Sequence, residues 1–225
     1  MVSLTLVVPA HNEEKRVSSL IKALSSSRFV QENVEMIFVV DGKDRTAEVV
    51  RKEMLNSGIA HIIMESGKRL GKGAAVWRGF SSAKTEYVGF MDADGPVSME
   101  ELEGMAKRCM ERGACVIASR DLGKRKGMRK FFSIAFNMLA KMMFGIKEKD
   151  TQCGCKILPK RLLGGTPFLI RGFVFDLELL GRVRKNGGIA EEYQVSGGDV
   201  EGGGFSALDV PGMFIDLMRL KFSGG

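Results

Sequence analysis

Five short apolar runs alternate with helically spaced segments over the first 119 residues, and this constrains the chain more than any other feature. The runs are Leu4–Val8, Val34–Val40, Ile59–Met64, Tyr87–Met91 and Ala114–Ala118. Between them, apolar residues recur at helical spacing over 12–26 (Val17, Leu20, Ile21, Leu24), 44–56, 73–82 and 98–112. A strand apolar on both faces must be covered on both faces. Strands of this kind between helices predict an α/β fold: a mostly parallel sheet sandwiched by helices. Ser98 and Glu101 stand at the spacing of a capping box and predict where the last of these helices opens.

In such sheets ligands bind beyond the carboxyl ends of the strands. That rule selects four groups: Pro9 to Glu13, Asp41-Gly42, Asp92-Ala93-Asp94 and Ser119-Arg120. Two carboxylates at i and i+2 past a strand end suit a hard divalent cation, Mg²⁺ or Mn²⁺, that also meets a diphosphate. Asp41 is placed either to bond a ribose or base or to cap the following helix, and Glu13, beside a capping Asn12, has the same two readings. Gly67 to Gly73 resembles a phosphate loop with Lys72 at the start of a helix, against the plainer reading of a solvated basic turn. It is neither a Walker A loop nor GxGxxG.

After residue 119 the pattern changes. Six basic residues fall within 120–130: Arg120, Lys124, Arg125, Lys126, Arg129 and Lys130. The run 131–146 is then apolar except for a narrow stripe of Ser133, Asn137, Lys141 and Gly145. Residues 210–222 form a second amphipathic segment. Each segment is either a core helix or a helix in a membrane interface with the basic run on lipid phosphates. Strands are expected over 152–158 and 188–195, a helix over 173–184 and a Gly-rich loop over 197–204. Asp150 and Lys156 flank Thr151 to Cys155, and by default they would form a surface ion pair.

Composition narrows the classes. A chain of 225 residues can bury its own core without disulfides. Four cysteines with no CxxC pair point to a reducing compartment and away from zinc. No basic leader and no apolar run of membrane-spanning length is seen, so a cytoplasmic chain, at most peripheral to a membrane, is expected. A net charge of +7 and 28 glycines fit a phosphate-bearing ligand. A nucleic-acid binder would need aromatics among its charges, yet the chain holds one Trp and two Tyr, so no nucleic-acid partner is expected. A nucleotidyltransferase would need a Gly-rich basic loop after the first strand, where Pro9-Ala10-His11-Asn12 stands.

Together, Val7 to Glu14, Val39 to Thr46, Gly71 to Val76 and Met91 to Gly95 resemble the GT-A fold family 2 glycosyltransferases. Ser119-Arg120, Asp150 to Lys156 and Phe175 to Leu180 are similar to the polyprenyl (dolichyl) phosphate sugar synthases, with Asp150 to Gly154 closer to the glucose branch. The resemblance covers about residues 2–221 and implies one GT-A domain over 1–225. Its nucleotide-sugar half would be 1–119. Its acceptor half would be 120–225, with interface helices over 128–146 and 210–222. It implies an inverting transfer from UDP-glucose to a polyprenyl phosphate at the cytoplasmic face of a membrane, or alternatively transfer from GDP-mannose, or a family 2 transfer to another acceptor. Pro9, Ala10, Glu13 and Asp41 would hold the nucleoside, with Lys72 on the diphosphate. Asp92 and Asp94 would bind the metal and diphosphate. Arg120 and Arg129 would meet the acceptor phosphate, and Asp150 would sit beside the reacting centre, orienting rather than acting as base. The chain departs from the family pattern at Gly42 (usually a second Asp), Pro96 (a Gln in mannose-type relatives) and Cys155 (usually Phe), and in having no membrane span.

Overall fold

The computed structural model describes residues 2–120, 143–172, 174–196 and 210–222. Among the described residues the strands are β1 (Leu4–Ala10), β2 (Val34–Val40), β3 (His61–Glu65), β4 (Tyr87–Met91), β5 (Cys115–Ser119), β6 (Cys155–Pro159) and β7 (Ala190–Gln194). Among the described residues the α-helices are α1 (Val17–Ser26), α2 (Arg28–Asn33), α3 (Thr46–Met54), α4 (Lys72–Ser82), α5 (Met99–Arg112), α6 (Phe175–Lys185) and α7 (Val210–Phe222). The strands form one sheet in the order β3-β2-β1-β4-β6-β5-β7.

Alternation along the strands divides the core into two layers. Leu4, Leu6 and Val8 of β1, with Met36 and Phe38 of β2, pack with buried residues of α1, α3 and α5. Val7, Ile37 and Val39 point the other way, into a layer with buried residues of α4, α6 and α7. Helix α1 buries Val17, Leu20, Ile21 and Leu24, the stripe its spacing predicts. Helix α5 carries the predicted capping box and stops at Gly113 in the left-handed region.

The sheet is mostly parallel, with one reversal that the apolar runs did not reveal. β6 lies between β4 and β5 and is antiparallel to both. The run 115–119 therefore does not sit beside β4. A fully apolar strand suits any interior position, so its composition does not name its neighbours. Because β6 is reversed, its beginning lies at the edge where the other strands end, which brings residues 150–154 to that edge.

Several element bounds differ from expectation. The helix expected from residue 12 starts at Val17, because Asn12 takes φ 58° and residues 13–16 form a turn. Asn12 is no helix cap. Its Oδ1 accepts from the Lys43 amide at 3.0 Å. The short α2 had no spacing signal, and is held by Ser27 as its cap. The strand expected over 152–158 begins at Cys155. Most of the apolar segment 131–146, the basic residues 124–130 and the Gly-rich 197–204 lie outside the described residues. At the end of the first, Ile146 is buried in the α4–α6 layer.

Candidate active site

The chain lays β1, β2 and β3 in one direction along the sheet, then places β4 on the other side of β1. This is a topological switch point, where an open α/β sheet leaves a crevice past its carboxyl edge. The β1–β4 ladder ends at Val7 and Phe90, while the β1–β2 ladder runs on to Ala10 and Val40. Pro9, Ala10 and Glu13 thus border one side of the crevice, and Asp92 and Asp94 border the other.

Asp92 is fixed from two directions. Its amide donates to the Gly154 carbonyl at 2.8 Å, continuing the β4–β6 pairing past the strand end. Its carboxylate accepts from Lys72 Nζ at 2.9 Å. Gly154 leaves room for this carboxylate where it stands: a Cβ on it would lie 2.6 Å from Asp92 Cγ and closer still to Oδ2. Asp94 has a buried Oδ1 with no hydrogen-bond partner among the described residues. Burial, then the neighbouring Asp92 charge, pushes its carboxyl above the usual carboxylate range. An orphaned carboxylate oxygen beside a second carboxylate is the donor set of a hard cation. Among the described residues no group of three or more such ligands gathers. The protein would supply two carboxylates and leave the remaining positions to diphosphate and water, as Mg²⁺ commonly takes them. Gln152 Nε2 is the other orphaned buried atom among the described residues, on the segment that leads into β6.

Lys72 opens α4 directly after Gly71, whose φ of 84° only glycine adopts readily. Burial works against its charge, but the carboxylates of Asp92 and Asp176 outweigh that and hold its ammonium above the ordinary lysine value. The loop before it is not an open phosphate cradle. The amides of Leu70 and Gly71 donate to Asp41 Oδ2 at 2.6 and 3.3 Å, so a protein carboxylate already occupies them. Asp41 is no helix cap either. Arg45 stands at the N-cap of α3, and Asp44 just before it accepts from the Thr46 amide at 3.1 Å. The other oxygen of Asp41 bonds His11 Nδ1 at 2.9 Å. Glu13 forms a two-pronged pair with Arg16 at 2.6 and 2.8 Å. Burial raises its carboxyl, Arg16 opposes this, and the charges of Asp94 and Asp92 add to the rise.

Arg120, past the end of β5, grips Asp150 through Nε at 2.8 Å and Nη2 at 3.3 Å. Asp150 is 1% exposed. Glu192 of β7 holds the strands behind this pair together. Its Oε1 accepts from the Ser119 hydroxyl at 2.8 Å and from the amides of Lys149 and Asp150 at 2.8 and 3.3 Å. The surface pair expected between Asp150 and Lys156 is not formed. Lys156 is 0% exposed and pairs with Asp176 of α6, which is 1% exposed. Asp150 lies in the turn that precedes β6 while Lys156 is inside that strand, so each meets a charge from a different element, Arg120 past β5 and Asp176 on α6. Arg129 lies outside the described residues.

The sheet edge thus brings together Pro9, Ala10, Glu13, Asp41, Lys72, Asp92, Asp94, Arg120 and Asp150. Sequence reading missed Arg16, Gly154, Glu192 and the part taken by Asp176 and Lys156. Arg16 stands three residues after Glu13, a local spacing that was passed over; for the others no local spacing announces them, since their partners lie on other elements. For these the one available signal was Gly154 itself, a glycine leading into an apolar strand.

The sequence pattern of the family described as glycosyl transferase family 2 matches residues 5–168. The chain is 31% identical over 240 residues to dolichyl-phosphate beta-glucosyltransferase ALG5D of Trichomonas vaginalis, covering 97% of this chain and 73% of that protein. It is 29% identical over 254 residues to the dolichyl-phosphate beta-glucosyltransferase of Saccharomyces cerevisiae, covering 99% and 75%. Among solved structures, glucosyl-3-phosphoglycerate synthase from Mycobacterium tuberculosis, in complex with Mn²⁺, UDP and phosphoglyceric acid, has a TM-score of 0.70. The identity is 20%, over 98% of this chain and 78% of that one. The shared architecture is the GT-A fold.

Proposed function

The chain belongs to glycosyl transferase family 2, and from that premise we propose that it moves glucose from UDP-glucose onto a polyprenyl (dolichyl) phosphate, inverting the anomeric carbon. The acidic edge past β4 carries this reading: Asp92 and Asp94 side by side, with Asp94 Oδ1 unpartnered among the described residues. The relatives' named activity supplies the sugar and the acceptor.

Asp92 and Asp94 would hold Mg²⁺ or Mn²⁺, which when bound offsets the charge of the leaving diphosphate. Lys72, already protonated and aimed at Asp92, would turn to the diphosphate as the donor arrives. Pro9, Ala10, Glu13 and Asp41 would line the nucleoside. A lipid phosphate is ionised near neutral pH, so the acceptor needs little help from a base. Asp150 would instead hold the Arg120 guanidinium toward the acceptor phosphate, with Arg129 as a second contact. Its two-pronged contact and burial favour orienting over proton transfer. In-line attack from the face opposite the diphosphate gives inversion.

The acceptor is a membrane lipid, and among the described residues no helix is long and apolar enough to cross a membrane. The chain would work at the cytoplasmic face, held by α7 and the basic run 124–130. Residues 1–119 would serve the donor and 120–225 the acceptor, within one domain.

Calorimetry with UDP-glucose and GDP-mannose, each with Mn²⁺ and then with EDTA, tests the donor. Metal-dependent binding of UDP-glucose is expected, followed by transfer of labelled glucose to polyprenyl phosphate. Binding of GDP-mannose alone, or transfer only to another acceptor, overturns the reading.

A further inference from the structure

Asp176 and Lys156 form a buried ion pair that the transfer chemistry above does not use. Removing both charges from water is costly, and an apolar pair of similar volume often packs as well. Their placement separates them from a simple core contact, because each member touches one half of the donor site. Asp176 bonds Lys156 through Oδ1, while its Oδ2 lies 4.0 Å from Lys72 Nζ. Lys156 Nζ also donates to the Cys153 carbonyl at 3.0 Å, one residue before the Gly154 carbonyl that receives the Asp92 amide. Lys72 and Lys156 both lie over the Phe90 ring, at 5.1 and 5.2 Å, and Lys72 lies 5.7 Å from that of Phe175. The side chains therefore alternate in sign from the crevice inward: Asp92, Lys72, Asp176, Lys156.

We propose that Asp176 is a positioning residue for the donor diphosphate, acting through Lys72, and that Lys156 neutralises it and ties it to the Gly154 loop. In this arrangement Lys72 is shared between two carboxylates. Asp92 can be released toward a cation, and Lys72 toward a diphosphate, without leaving an ammonium alone against two aromatic rings. With Asp176 neutral, Lys72 is held by Asp92 alone and competes for the carboxylate that the cation needs. This inference rests on the donor reading above.

The test is a double-mutant cycle read by calorimetry, with UDP and Mn²⁺ as the probe. Asp176→Asn should weaken UDP binding by about tenfold. In a Lys72→Met background the same change should have no further effect. Equal weakening in both backgrounds, or unchanged binding by Asp176→Asn, overturns the proposal and marks the pair as a core contact. If Asp176→Asn does not fold, Lys156→Met/Asp176→Asn removes the pair as a unit and carries the same comparison. Failure of the unaltered protein to bind UDP overturns the donor reading itself. Binding that is insensitive to Asp176 overturns only the relay.

Discussion

Asp94 and Gly154 show how single residues set this site. The raised carboxyl of Asp94 means the folded chain holds that proton more tightly than the unfolded chain. Its contribution to stability is therefore present below the unfolded value and lost as pH rises through the folded one. Asp94→Asn should leave the metal-free protein at least as stable at neutral pH, read as an unchanged or higher Tm. The same change should abolish Mn²⁺-dependent UDP binding and cut turnover by about 100-fold or more. In the unaltered protein a cation and a proton compete for this carboxylate, and the raised value favours the proton more than at an ordinary Asp. Metal-dependent binding should be full above the Asp94 value and weaken as pH falls through it, beginning above the usual carboxylate range. Gly154→Ala places a methyl group against the Asp92 carboxylate. Because Asp92 is partly exposed and can swing away, the fold should survive while metal-dependent UDP binding weakens by about tenfold or more. Wild-type binding by Gly154→Ala would free Asp92 from the metal site.

At the scale of elements, the first turn of α5 is tied to the segment just past β7. Ser98 Oγ accepts from the Glu101 amide at 3.2 Å, and Glu101 Oε2 accepts from the Ser98 amide at 2.8 Å. The other oxygen of Glu101 takes the amide and hydroxyl of Ser196, just past β7. Burial pushes the Glu101 carboxyl up, but the hydrogen bonds from Ser196 and Ser98 outweigh it and hold it below the ordinary value. A depressed acid stabilises the fold above its unfolded value, and that stabilisation is lost as pH falls through the folded one. Ser98→Ala should cost about 1 kcal/mol, seen as a Tm lower by about 2–4 °C at neutral pH. The difference from the unaltered protein should shrink in acid. The capping box was legible in the sequence because both partners lie within one turn. The tether to Ser196 was not, because 95 residues separate its ends.

The whole molecule presents α7 with two characters. Met213, Leu217 and Leu220 are buried in the layer shared with α4 and α6. Phe214, Ile215 and Phe222 are 53%, 54% and 77% exposed, and Arg219 and Lys221 are exposed beside them. One face of this segment is thus core, and the other is the exposed face that, as proposed, would meet a membrane surface. Phe214→Ser/Ile215→Ser should reduce binding to anionic vesicles by about tenfold and leave Tm unchanged, since both side chains already face solvent. Vesicle binding equal to that of the unaltered protein would remove α7 from the membrane surface.

The amino-acid sequence alone determined the α/β class, the strands β1, β2 and β4, the caps of α5, the amphipathic α7 and the carboxylates Asp92 and Asp94. Each of these follows from periodicity or from a spacing of a few residues, and such signals survive in one dimension. Only the tertiary structure decided that β6 runs backward between β4 and β5. Only it decided that Asp41 occupies the amides of the loop before α4, that Asp150 pairs with Arg120, and that Lys156 sits buried against Asp176. Those outcomes depend on which elements share a layer. A buried charge is tolerated only where a partner meets it; for Lys156 and Asp150 that partner arrives from another element, and the local sequence contains no record of it.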